Sequence, residues 1–162
     1  ELSDPLKLLL PLKHGVTVIA AHMAATGQSE GRDNFERLLS ILPAYPNFYT
    51  DISSLTQFNR LGYLAKALNI PWAIDHMIFG TDWPLQHFPV VSPWYHVGHI
   101  GWVNAWRIAR IENVWDRDVA LKQALGVPES VLTRMVGVLA VRPPKPYHDA
   151  PAEVVLPPPA RD

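Results

Sequence analysis

The sequence predicts an α/β fold built on parallel strands, and three observations carry that prediction. Short runs rich in β-branched and aromatic residues end in a polar residue at His22, Asp51 and Asp82. These positions recur at about 30 residues, the length of one strand–helix–strand unit. The stretches between them carry apolar side chains at helical spacing. In parallel α/β folds, catalytic and metal-binding side chains collect at the C-terminal ends of the strands. His22, Asp51 and Asp82 therefore define a candidate active-site rim.

Each element follows from local chemistry. Asp4-Pro5 reads as an N-cap followed by proline in the first turn, and Gly15 as a helix stop, with Pro11 kinking the short helix between them. Residues 16–21 are apolar without alternation, the pattern of a strand buried on both faces. A Gly-containing loop, 23–32, comes next. Asp33 caps a helix running to about Leu42, whose apolar face is Phe35, Leu38, Leu39 and Leu42. A second strand is expected over roughly 48–52. Leu61, Leu64, Ala65 and Leu68 form the stripe of the next helix, which Ile70-Pro71 ends, and a third strand is expected at about 77–80. Past Pro84 lies a long aromatic loop, of a length that usually signals function or disorder. Helical patterns return at about 99–112, 116–125 and 128–140, with Trp102 and Trp106 expected in the core. The chain divides into an α/β region, 1–141, and a tail, 142–162, whose prolines predict an extended segment without a packed core.

Composition narrows the function. A net charge of −1 and the lack of a basic stripe argue against nucleic-acid binding. No apolar run approaches the roughly 20 residues that cross a bilayer. With no cysteine, any metal ligands must be histidine or carboxylate. The chain opens at Glu1 and residues 1–15 read as the middle of a fold, so the expectation is that sequence is missing ahead of it. A cytoplasmic location is the working expectation, and a missing start would remove any information a leader could give.

Asp82 is the leading candidate. It lies where Met77-Ile78-Phe79 gives way to Gly80-Thr81-Asp82-Trp83-Pro84, held between a glycine that allows close approach and a stiffening proline. A carboxylate so placed can ligate a cation or move a proton, or merely cap the turn. His22 can serve as ligand or acid/base, or be a buried histidine bonded to one carbonyl. Asp51 can simply cap the next helix. His87, His96 and His99 surround the long loop, and Trp83 and Trp94 are candidates to line a pocket. Trp83 and His87 are the residues assigned to a small-molecule substrate. A phosphate-cradling glycine loop, a nucleophile elbow and a His-Glu-x-x-His motif are all missing.

Three strands leave two sheet edges, and an unpaired apolar strand is an aggregation hazard. A sheet continuing into further sequence is the more economical reading. A (β/α)8 TIM barrel needs about 250 residues, and the roughly 140 structured residues here would supply its last βα units plus extra C-terminal helices.

The segments Gly15 to His22, Phe48 to Ser53 and Ile78 to Pro84 resemble, in order and spacing, the C-terminal half of the metal-dependent amidohydrolase superfamily. The likeness is to the amidohydrolase-related branch that includes aminocarboxymuconate-semialdehyde decarboxylase, and it spans about residues 4–140. Gly80-Thr81-Asp82-Trp83-Pro84 echoes that family's eighth-strand Gly-Ser-Asp-x-Pro and is the most specific part. The resemblance implies that Asp82 is a metal-binding carboxylate that also shuttles a proton. It implies that His22 is the sixth-strand histidine, which handles protons or binds a second ion, and it gives Asp51 no ligand role. The implied cofactor is a divalent cation, zinc, and the implied activity is hydrolysis, with decarboxylation on the same scaffold as the alternative.

The family's first-strand His-x-His pair and fifth-strand ligand have no counterpart here. A catalytic zinc generally takes three protein ligands, so the chain is expected to be inactive unless other residues complete the site. Two non-enzymatic expectations stand beside this one. The first is a half barrel that forms a homo-oligomer to cover its edges and binds partners through loop 84–102. The second is a small doubly wound domain that binds a metabolite at its strand ends.

Overall fold

The computed structural model describes residues 4–140; the tail assigned to 142–162 lies outside the described residues. The protein is mixed α/β, centred on three parallel strands. In chain order the elements are α1 (Leu9–Lys13), β1 (Val18–Ala20), β2 (Gln28–Ser29), β3 (Arg32–Asp33), α2 (Asn34–Ile41), β4 (Phe48–Asp51), α3 (Tyr63–Leu68), α4 (Pro71–Ile74), β5 (Met77–Ile78), α5 (Val97–Ala109), α6 (Val114–Ala124), α7 (Glu129–Thr133) and α8 (Met135–Val138). The sheet order is β1-β4-β5, both pairings parallel, with Ala20 opposite Thr50 and Thr50 opposite Met77. This register places His22, Asp51 and Asp82 at one edge of the sheet.

Local chemistry explains the boundaries. Asp4 accepts from the Leu6 amide, capping a 3-10 turn, Pro5–Leu8, that leads into α1. Pro11 is tolerated in α1 because it lies in the first turn, where no amide has an intrahelical acceptor. Gly15 stops the chain in the left-handed region at φ 77°. Asp33 caps α2 through the Phe35 amide at 2.7 Å. The loop expected at 23–32 carries the small antiparallel hairpin β2–β3.

One face of the sheet is well packed. Leu38 from α2 and Leu42 just past its end meet Leu12, Ala20 and Phe48. Beside them Met23, Ile52 and Met77 meet Leu64, Ala67 and Val131 from α3 and α7. Full burial of a side chain such as Phe48 contributes about 1.5–3 kcal/mol.

Two expectations are corrected. The strand predicted at 16–21 is shorter and is not buried on both faces: Val18 and Ile19 remain half-exposed. Among the described residues β1 pairs only with β4, so nothing covers its outer edge. Trp102 and Trp106 are not core, being 73% and 55% exposed. The helix α5 buries the opposite stripe, Ile100, Ala105 and Ile108, against Leu121 of α6. Aromatic spacing of i and i+4 places two rings on one face without saying which way that face looks.

Packing therefore separates two apolar positions that the sequence treats alike. Leu38→Ala, at a fully buried site, is expected to cost about 2–5 kcal/mol of unfolding free energy. Val103→Ala, 80% exposed, is expected to cost less than about 0.5 kcal/mol. Urea denaturation of both variants checks the difference.

Candidate active site

The three strand-end residues come together. His22 Nε2 lies 3.6 Å from Asp82 Oδ1, and His22 Nδ1 lies 3.3 Å from Asp51 Oδ1. His22 and Asp82 both adopt left-handed backbone, at φ 54° each. For residues other than glycine that conformation costs on the order of 1 kcal/mol and persists only where surrounding structure enforces it.

That enforcement is visible around His22. Thr50, buried in β4, donates its hydroxyl to Ala20 O at 2.9 Å and accepts from the Met23 amide at 3.1 Å, gripping both sides of the turn. Asp51 Oδ1 accepts from the His22 amide at 3.1 Å and the Ser53 amide at 3.0 Å, and it also accepts a hydrogen bond from the Ser53 hydroxyl. The exit of β5 closes against the same group. A Cβ on Gly80 would sit 3.2 Å from Ser53 Cβ and 3.4 Å from Asp51 Cβ, so glycine is required there by close approach.

The network also assigns a proton. Ser53 Oγ lies 2.7 Å from His22 Nδ1 and has already given its hydrogen to Asp51, so it accepts from Nδ1–H. In the neutral ring His22 Nε2 is then the bare nitrogen facing Asp82, and in the protonated ring Nε2 donates toward Asp82. Asp82 Oδ2 accepts from Gln57 Nε2 at 2.7 Å, and Arg60 donating to Gln57 Oε1 at 3.1 Å fixes which way that amide points. With the neutral ring, two acceptors, Nε2 and Oδ1, face each other.

Asp51 was expected on the rim, with capping of the next helix as the simpler reading. It does cap the turn through Ser53, and it also orients the His22 ring. Ser53 and Gln57 went unnoticed because a serine and a glutamine past a strand carry no pattern of their own. Lys122 and Asp118 were missed for a different reason. An i, i+4 Asp–Lys pair on a helix reads as a solvated surface pair, yet both are buried, Lys122 completely. Burial pushes the Lys122 ammonium down and the Asp118 carboxyl up, while their mutual attraction opposes both shifts.

The remaining candidates lie farther out. Trp83 is exposed and contacts His87 at 5.7 Å and Trp115 at 5.2 Å between ring centres, forming an aromatic shelf next to Asp82. The long loop is pinned by a bridge from Val91 to Gln57. His96 and His99 line a separate recess with Leu55, Leu64 and Tyr95. His96 is buried, with Nε2 3.1 Å from Thr56 O.

Among the described residues, no group of three or more His, Asp or Glu side chains is arranged to hold a metal ion. His22 and Asp82 nonetheless fit a share of one. Their facing atoms are 3.6 Å apart, near the separation of two ligands that each sit about 2.0–2.2 Å from a shared zinc. The bonding at His22 Nδ1 is also the support that metal-binding imidazoles usually have. Comparison with known proteins returns no matching family model, no matching curated protein and no matching solved structure. No helix among the described residues is long and apolar enough to cross a membrane.

The buried His96 gives a pH dependence. Burial holds its imidazole below the ordinary value of about 6.5, so the folded protein resists a proton that the unfolded chain accepts. Above about pH 6.5 both states are neutral there and the linkage vanishes. As pH falls below 6.5 toward the lowered value, stability is lost. Urea midpoints are expected to drop between pH 6.5 and 5, and less steeply in His96→Gln.

Proposed function

We propose that this chain carries part of the active site of a metal-dependent hydrolase built on a TIM barrel of the amidohydrolase-related kind. The observation that supports this reading best is the pairing of His22 Nε2 with Asp82 Oδ1, two facing acceptors 3.6 Å apart on left-handed backbone at strand ends. Such a pair is repulsive unless a cation or a shared proton lies between its members. His22 and Asp82 would hold a divalent cation, zinc in the first instance, which when bound acidifies its water and polarises a substrate carbonyl or carboxylate.

This chain's own residues have definite tasks in that scheme. Asp82 would hold the cation through Oδ1, and its other oxygen, which also accepts from Gln57, would take the proton of the attacking water. His22 offers Nε2 as ligand or proton acceptor, and the Asp51–Ser53 support keeps the ring in that tautomer. Trp83 and His87 border the place where a small-molecule substrate would lie. Further ligands would come from elsewhere in the protein or from a second subunit. Decarboxylation on the same residues is the alternative reaction.

Protein expressed from the complete reading frame is expected to copurify with zinc or manganese and to lose both metal and hydrolytic activity on Asp82→Ala. Retention of metal and activity after that change would overturn the reading.

One observation favours a second reading, a non-catalytic half barrel that assembles with itself. The outer edge of β1 is unpaired among the described residues, and it borders an apolar recess lined by Leu8, Ile19, Ala20, Ala24 and Leu38. In that case light scattering on the eluting peak is expected to give an oligomer that chelators do not dissociate. A monomer would sink it.

A further inference from the structure

Beneath the candidate site lies an ion pair that the proposed chemistry leaves unused. Lys122 and Asp118, one turn apart on α6, are 0% and 2% exposed. Substrate cannot reach them. A buried ion pair is poor evidence for stability, since replacing one with apolar side chains of similar volume is often neutral or stabilising. What this pair touches accounts for it better.

Every side-chain hydrogen bond of the pair outside its own helix goes to residues 53–57. Lys122 Nζ donates to Ser53 O at 3.1 Å, and Asp118 Oδ1 accepts from Thr56 Oγ1 at 3.2 Å. The same five residues supply both supports of the site: Ser53 to His22 Nδ1, and Gln57 to Asp82 Oδ2. Lys122 also places its ammonium 5.0 Å from the centre of the Phe79 ring, on the stretch that leads from β5 to Asp82. The helix α6 thus reaches both strand exits through one buried pair. Trp115, on the first turn of that helix, meets Trp83 beside Asp82.

We infer that Lys122 and Asp118 are positioning residues: they clamp residues 53–57 so that Ser53 and Gln57 hold His22 and Asp82 in the facing geometry. The inference rests on the reading that His22 and Asp82 are the working pair. The clamp works by geometry. Ser53 has its hydroxyl committed to Asp51 and His22, so only its carbonyl is left to anchor, and a long ammonium side chain reaching from α6 bonds it. Asp118 neutralises that ammonium and adds the second anchor at Thr56.

The test separates clamping from stability. The double variant Lys122→Met/Asp118→Leu removes both charges and fills their space with apolar side chains, so it is expected to fold with an unfolding midpoint near or above that of the wild type. Nitrogen-15 spectra of the metal-free proteins at pH 8.5 then report His22. The wild type should show two well-separated imidazole nitrogens, the signature of one tautomer with its proton on Nδ1. In the double variant these should move toward each other as the tautomers mix. In protein from the complete reading frame, zinc affinity should fall by about 10–100-fold, the usual effect of losing outer-shell support. A folded double variant with the wild-type His22 signature would overturn the inference.

Should the double variant not fold, Thr56→Val removes one anchor with almost no change of shape. It is expected to shift the His22 signature in the same direction, and no shift there would equally overturn the inference. The spectral readout needs neither metal nor substrate, so it stands even if Asp82→Ala shows the hydrolase reading to be wrong.

Discussion

The carboxylate of Asp51 ties together two strand exits that would otherwise diverge. It accepts from the His22 amide at the end of β1 and from Ser53 just past β4, so the turn after β1 cannot relax without breaking bonds to its neighbour. A third exit is drawn in because Gly80 lacks a side chain and can lie against Asp51 and Ser53. The bonds made there hold His22 in left-handed backbone, while Gln57 bonds Asp82 on the facing side. With the carboxylate satisfied by that many donors, its charge is well compensated although it is largely shielded from water.

Around this knot the molecule is asymmetric. One face of the sheet packs against α2, α3 and α7 with fully buried aliphatic and aromatic side chains. The outer edge of β1 pairs with no strand among the described residues, and Ile19 and Tyr49 remain half-exposed. A strand edge and an apolar flank are where a sheet adds a neighbour, since unpaired amides and carbonyls and apolar area are offered together. The hydrolase and assembly readings both use this feature. They differ in whether the element that completes the sheet also brings metal ligands.

The buried pair on α6 links that helix to the residues that bond His22 and Asp82. Desolvating two charges is expensive and their attraction returns only part of that cost. A packing role alone would be served as well by methionine and leucine. What a pair of charges adds is direction: an ammonium and a carboxylate bind particular carbonyl and hydroxyl groups at particular angles. Here those groups belong to the five residues that orient His22 and Asp82.

The sequence by itself determined the mixed α/β class, the order of the three parallel strands and the placement of His22, Asp51 and Asp82 at or just past their exits. These come from short-range rules: apolar runs, helical spacing, and punctuation by Asp33, Gly15 and Pro84. The resemblance to amidohydrolases rests on the same short stretches. Only the tertiary structure decided which neighbours those residues have. Ser53 bonding His22, Gln57 holding Asp82 and Lys122 reaching the Ser53 carbonyl join residues 25 to 69 positions apart. The outward face of Trp102 and Trp106 was decided there too. Periodicity gives the relation between residues on one helix, whereas the side a helix turns to the core depends on how whole elements pack.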